Sequence, residues 1–213
     1  MKDKQLKFIE EDIVDEETGE LVRVNLPTKV QPTEMSLDKL MEMSKMLSKS
    51  TIVPINYQNR EENVFIALDL ANRMGISPMT VMQNLYLIQG KPSFSGSFIS
   101  ALINSSPLFT DVELVFVGEE GKLSYGAYVR AKDGKTGKEL KGVTVTMDMA
   151  NQEGWLKNPK WKSMSELMLS YRAYSFFGRV YGSELLNGIY STSEVEDFTP
   201  SNRTVVNPYN VGN

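Results

Sequence analysis

Between Asp111 and Met149 the hydrophobic period changes from the three-and-four spacing of a helix to two, which restricts the fold class more than any other feature of the chain. Val112, Leu114 and Phe116 alternate with polar neighbours, and Gly118-Glu119-Glu120-Gly121 supplies a turn. Tyr125, Ala127, Val129 and Ala131 then face one way, while Ser124, Tyr128 and Arg130 face the other. Asp133-Gly134 and Thr136-Gly137 form a second turn, after which Val143, Val145, Met147 and Met149 share a face opposite Thr144, Thr146 and Asp148. The pattern predicts a three-stranded antiparallel meander with one apolar face, covered by helices. Its polar face offers Tyr128 and Arg130.

The segments before the meander read as helices joined by short turns. Residues 6–26 form an arm or hairpin, with KFIEEDIV and ELVRVNL around the turn-like Glu17-Thr18-Gly19-Glu20. Ser36 caps a helix carrying Leu37, Leu40, Met41, Ser44 and Leu47 on one side; arm and helix together suit docking on the core or on a neighbouring subunit. A second helix runs from about Asn63 to Met74, with Val64, Ala67, Leu68 and Ala71 inward and Gly75 closing it. Ser77 and Pro78 open a third in N-cap and N1 order. Tyr86-Leu87-Ile88, the Gln89-Gly90-Lys91 turn and Pro92-Ser93-Phe94 make a small hairpin with Lys91 at its tip as a candidate phosphate contact. Ser95 or Ser97 starts the helix that follows, to about Asn104.

After the meander, residues 155–181 (WLKNPKWKSMSELMLSYRAYSFFGRVY) combine cations and aromatics. Lys157, Lys160 and Lys162 surround Trp161 in a loop, and Ser163 with Glu166 reads as a capping box. Met164, Leu167, Met168, Tyr171 and Tyr174 fit a buried stripe. Arg172 and Arg179 return to nearly one face, about 10 Å apart along the axis. Spaced cations beside flat rings suit a nucleic acid, although such rings also serve a helix core and such lysines are often only solvated. Leu185-Leu186 and Ile189-Tyr190 close the fold, and residues 191–213 read as a polar tail.

Charge and composition narrow the chemistry. The 213 residues contain neither Cys nor His, so thiol nucleophiles, His bases and ordinary zinc sites are excluded. Absence of cysteine and of a secretory pattern after Met1 leads to an expected cytoplasmic location. No apolar run approaches the roughly 18 residues of a membrane span. The net charge of −4 is unevenly divided: residues 122–181 hold 11 basic against 5 acidic side chains, whereas residues 1–50 hold 8 against 11 and residues 182–213 hold 1 against 4. A polyanion responds to that local surplus and not to the total.

No catalytic motif emerges. A P-loop needs a glycine five positions before its Gly-Lys, but Gly90, Gly121 and Gly137 are preceded there by Leu85, Phe116 and Lys132. Asp111, Glu120 and Lys122 imitate a metal-nuclease pattern, yet Glu120 falls in a turn where a rigid strand is expected. IALDLANRMGISPMTVMQNL has the outline of a helix-turn-helix, over residues 63–85, but no Lys or Arg lies between Met74 and Gln89 to reach a duplex. A duplex-binding regulator and, behind it, a metal nuclease are the alternatives to a single-strand binder.

Read in order, these pieces resemble the RecT/Redβ single-strand annealing proteins of phages. The shared order is a Val-Pro before a helix ending Gly-Ile-Ser-Pro-Met, a Tyr-x-Ile-x-Gly-Lys-Pro hairpin, a Met-Leu-x-x-Arg-Ala helix, and a Gly-x-Tyr-x-x-x-Glu-Val close, over roughly residues 50–197. The resemblance implies an α+β fold with the β-β-β-α core of RecT and Redβ, an N-terminal arm at residues 1–35, an annealing core at 36–195 and a tail at 196–213. It implies a non-enzymatic phage or prophage recombinase that binds single-stranded DNA without ATP or cofactor and anneals complementary strands as a ring or helical filament. Its other partners would be the annealed duplex and a phage exonuclease or host single-strand-binding protein, with no membrane. Lys91, Arg172 and Arg179 occupy the family's hairpin and helix basic positions. With Tyr128, Arg130, Lys157, Lys160, Trp161 and Lys162 they form the expected DNA-binding set; no catalytic or metal-binding residue is expected.

Overall fold

A computed structural model describes residues 8–14, 21–27, 35–88 and 90–197. The chain divides into two compact units, Met1–Gln83 and Asn84–Asn213. Both contain helices and small sheets, an α+β architecture.

In the first unit, β1 (Phe8–Val14) and β2 (Leu21–Pro27) pair antiparallel, with Phe8 opposite Pro27 and Val14 opposite Leu21. This is the arm expected from the alternation; its Glu17–Glu20 turn lies outside the described residues. α1 (Leu37–Ser48) starts at Ser36, whose side chain accepts the Lys39 N–H, and packs against α2 (Glu61–Met74). α1 buries Leu40, Ser44 and Ser48, while Leu37 and Met41 stay exposed, so its inward stripe is narrower and more polar than the methionines suggest. Ser44 is tolerated there because its hydroxyl donates to Leu40 O at 2.7 Å. α2 turns Val64, Ala67, Leu68 and Ala71 inward and ends at a left-handed Gly75, as its pattern requires. α3 (Pro78–Asn84) follows after Ser77.

The second unit is built around two small sheets and one long helix. β3 (Leu85–Ile88) and β4 (Lys91–Phe94) form the expected hairpin, and β9 (Tyr190–Ser191) joins β4 in parallel. α4 (Gly96–Ser105) is capped by Ser95, which accepts the Phe98 N–H at 3.1 Å. In the larger sheet β6 (Gly126–Asp133) is central: β5 (Phe109–Val117) lies on one side, β7 (Glu139–Lys141) and β8 (Val145–Thr146) on the other. Ala127, Val129 and Ala131 are buried on one face of β6, and Tyr128 and Arg130 lie on the other, as the period-two reading predicts.

The third strand of the meander is shorter than its pattern. Thr146 stops it by capping α5 (Met147–Gln152), accepting the Met149 N–H at 3.1 Å. Met147 and Met149, expected on the strand, therefore belong to a helix. A Thr with an acidic residue, Asp148, in the following turn is a helix start that the alternating methionines obscure.

α7 (Ser165–Tyr181) packs on α4 and on the inner face of β6. Gly96 and Gly178 permit the close approach: a Cβ at Gly96 would come within 2.7 Å of Tyr171 Cγ, and one at Gly178 within 3.1 Å of Ile103 Cδ1. Phe109 meets Phe177 edge-on, with ring centres 5.1 Å apart. The buried stripe of α7 is Leu169, Arg172, Ala173 and Phe177, not the one expected, since Met164 and Leu167 are 42% and 41% exposed. The expected capping box is also absent. Ser163 ends the short α6 (Lys160–Ser163) and donates to Pro159 O, while Glu166 accepts the Tyr125 hydroxyl at 2.7 Å. The chain continues through α8 (Ser183–Leu186) and β9 to α9 (Thr192–Asp197), so residues 191–197, expected as tail, are a strand end and a helix; residues 198–213 lie outside the described residues.

Candidate nucleic-acid interface

Trp155 and Trp161 bracket the lysine-rich turn and fix it to the fold. Their ring centres lie 5.2 Å apart, and both are buried, Trp161 to 2% exposure. Asn158 orders the turn between them, its side-chain oxygen accepting the Lys160 N–H at 3.1 Å. Lys157, at the end of one helical turn, and Lys160 and Lys162, in α6, therefore project from a segment pinned by two indoles. All three are exposed, and none forms an ion pair among the described residues.

Trp161 itself is not available as a stacking platform. A ring with 2% exposure offers no open face to a base, so the expected contact is corrected to an internal anchor. Arg172, also expected on the binding surface, is covered in this structure. It is 3% exposed, lies 4.0 Å above the Trp155 ring, and pairs through Nη2 with Asp197 Oδ2 at 2.6 Å. Burial pushes the Asp197 carboxyl above its usual range, and the adjacent guanidinium opposes that rise without overcoming it.

Arg179 is half-buried and similarly engaged, its Nε donating to Glu194 Oε1 at 2.6 Å and its guanidinium lying 3.4 Å over the Tyr190 ring. Glu194 also accepts from the Ser191 N–H and hydroxyl, while its own N–H donates to Ser191 Oγ. This is a capping box, and Ser191-Thr192-Ser193-Glu194 is its sequence signature. That signal lay in the segment read as tail. It marks a helix start at Ser191, though not the return of its carboxylates to the arginine helix.

Tyr128 and Arg130 line a different feature, a groove of about 590 Å³ on the outer face of the larger sheet. Lys132 and Lys141, which sequence reasoning passed over, stand beside them, with Lys141 Nζ 4.5 Å over the Tyr128 ring. The groove is balanced in charge. Arg130 donates to Glu113 Oε2 at 2.8 and 2.6 Å, and Lys132 pairs with Asp111 at 2.8 Å. A bulge between Thr110 and Glu113, with Asp111 at φ 52°, brings these acids to the groove. The hydrogen bond from Arg130 to Glu113, and that from Lys132 to Asp111, hold each cation more firmly protonated than usual. A phosphate entering here would compete with carboxylates already in place.

Lys91 is exposed at the start of β4, on the hairpin tip as expected. In the helix-turn-helix-like segment, α3 spans only Pro78–Asn84 and passes directly into β3. The cations thus separate into two kinds: Lys91 and the three turn lysines stand out from the surface, while Arg130, Arg172 and Arg179 are held by acids. Comparisons of the chain with family models, with curated proteins and with solved structures find no match.

Proposed function

We propose that this protein binds single-stranded DNA through its phosphate backbone and anneals complementary strands without nucleotide or metal, as the RecT/Redβ proteins do. The observation that carries the reading is the pinned turn, in which Lys157, Lys160 and Lys162 are exposed, close in sequence and unpaired among the described residues. The indoles hold the backbone of this segment, so binding has mainly the lysine side chains to order. The order of motifs over residues 50–197 supports the reading, and the local surplus of basic residues at 122–181 agrees with it. The turn supplies electrostatic attraction; pairing between strands supplies sequence recognition, so no base-reading side chain is required.

Complementary oligonucleotides, one carrying a fluorophore and the other a quencher, test the reading in EDTA without ATP. Faster annealing with protein than without is the expected result. No acceleration, together with no binding to either strand, would remove the proposal.

A further inference from the structure

Two guanidiniums of α7 meet two carboxylates of α9 in a clasp: Arg172 with Asp197 and Arg179 with Glu194, each at 2.6 Å. The carboxylates do not use all that the arginines offer. Arg172 Nε and Arg179 Nη2 are buried without a hydrogen-bond partner in the structure. Each guanidinium lies over a flat ring, Trp155 at 4.0 Å and Tyr190 at 3.4 Å, which fixes the plane of its donors. Two oriented donor sets with N–H groups to spare, about 10 Å apart along the helix, suit oxyanions that present more acceptor oxygens than a carboxylate does. The element now filling them is a helix of six residues with little stability of its own, so its place depends on its contacts with β3, β4 and β9.

We infer that the Arg172–Arg179 face of α7 is a two-point phosphodiester site, that α9 fills it with Glu194 and Asp197 as internal stand-ins, and that a bound single strand takes their place. This inference rests on the nucleic-acid reading above and adds a regulated second contact to it. The lysine turn attracts the strand. Displacement of α9 then exposes two arginines whose charge is cancelled while the clasp is closed.

The full chain and its E194Q/D197N variant are titrated with fluorescein-labelled oligodeoxythymidylate at several salt concentrations. The variant is expected to bind more tightly at low salt. Both complexes hold the same phosphates, so removal of the competing acids should raise affinity while the dependence of log K on log salt stays close to the wild type's. A folded variant that binds no more tightly than the wild type overturns the inference. A second measurement needs no variant: amide hydrogen exchange of residues 192–197 in the wild-type protein should accelerate when the oligonucleotide binds. Unchanged or slower exchange in the bound protein overturns the inference, whether or not the double variant folds. Inorganic phosphate alone should leave that exchange unchanged, and acceleration by phosphate would replace the strand with a free anion as the ligand. If neither protein binds the oligonucleotide, the nucleic-acid reading falls as well. If the wild type binds while the variant gains no affinity and the exchange stays fixed, only the clasp inference falls.

Discussion

The Arg172 guanidinium lies over the Trp155 ring, 4.0 Å from its centre, and the same side chain reaches Asp197. One residue thus joins the pinned turn, the long helix and α9.

Replacing Arg172 with alanine should destabilise the fold before it affects binding. Breaking a buried ion pair on one side costs about 3–5 kcal/mol, and the loss here should sit at the lower end because Asp197 keeps 26% exposure. Arg172→Lys should lose less, since it keeps the charge but not the flat stacked fork. Urea denaturation followed by circular dichroism checks both; an alanine variant as stable as the parent would contradict the clasp.

The two tryptophans should be silent reporters. Trp155 and Trp161 are the only tryptophans, and both are buried, so acrylamide should quench their emission weakly and single-stranded DNA should leave it nearly unchanged. Trp161→Ala should cost about 3–5 kcal/mol of stability, as removal of a large core ring does. Strong DNA quenching with an unaltered melting temperature in Trp161→Ala would restore the ring to the binding surface.

Tyr125 should give the fold an alkaline limit. The hydrogen bond to the Glu166 carboxylate, reinforced by burial and by the charges of Glu166 and Glu120, pushes its hydroxyl up to about 12. The folded value lies above the ordinary 10, so the native state favours the neutral phenol. The resulting stability is complete below pH 10 and lost as pH rises from 10 toward 12. Melting temperatures across that window should fall in the wild type and fall less in Tyr125→Phe, which starts lower; parallel curves would remove Tyr125 as the cause.

The turn lysines should behave as pure surface charge. Changing Lys157, Lys160 and Lys162 to alanine together should move stability by no more than about 0.5 kcal/mol per site. If all three contact phosphates, the salt dependence of single-strand binding should flatten by about 2.1, at about 0.7 each. Binding isotherms at several salt concentrations decide this, and a slope equal to the parent's would place the strand elsewhere.

Much of the fold was legible because it depends on local pattern. The alternation through Ala127, Val129 and Ala131, the Ser36 and Ser95 caps, and Gly75 with Pro78 are signals contained within a few residues. The site was less legible because its charges are decided at a distance. Nothing near Arg172 or Arg179 in sequence shows that Asp197 and Glu194 return to pair with them. Tryptophans among lysines likewise read as a stacking surface, although alternation in a tight turn can send rings inward and ammonium groups outward. The stripe on α7 was misplaced for a related reason: Met164 and Leu167 have the right spacing, but the helix buries Leu169, Ala173 and Phe177 instead.

The packing of α7 over β6 and α4 also sets an order of events during synthesis. A chain made from its N-terminus extrudes the hairpin, α4 and the meander before residues 165–181 exist. Until Phe177 and its neighbours leave the ribosome, Ile103, Phe109, Ala127 and Val129 lack the cover that α7 gives them. The nascent second unit therefore carries uncovered apolar surface for as long as translation takes to cross the stretch from Ile103 to Tyr181.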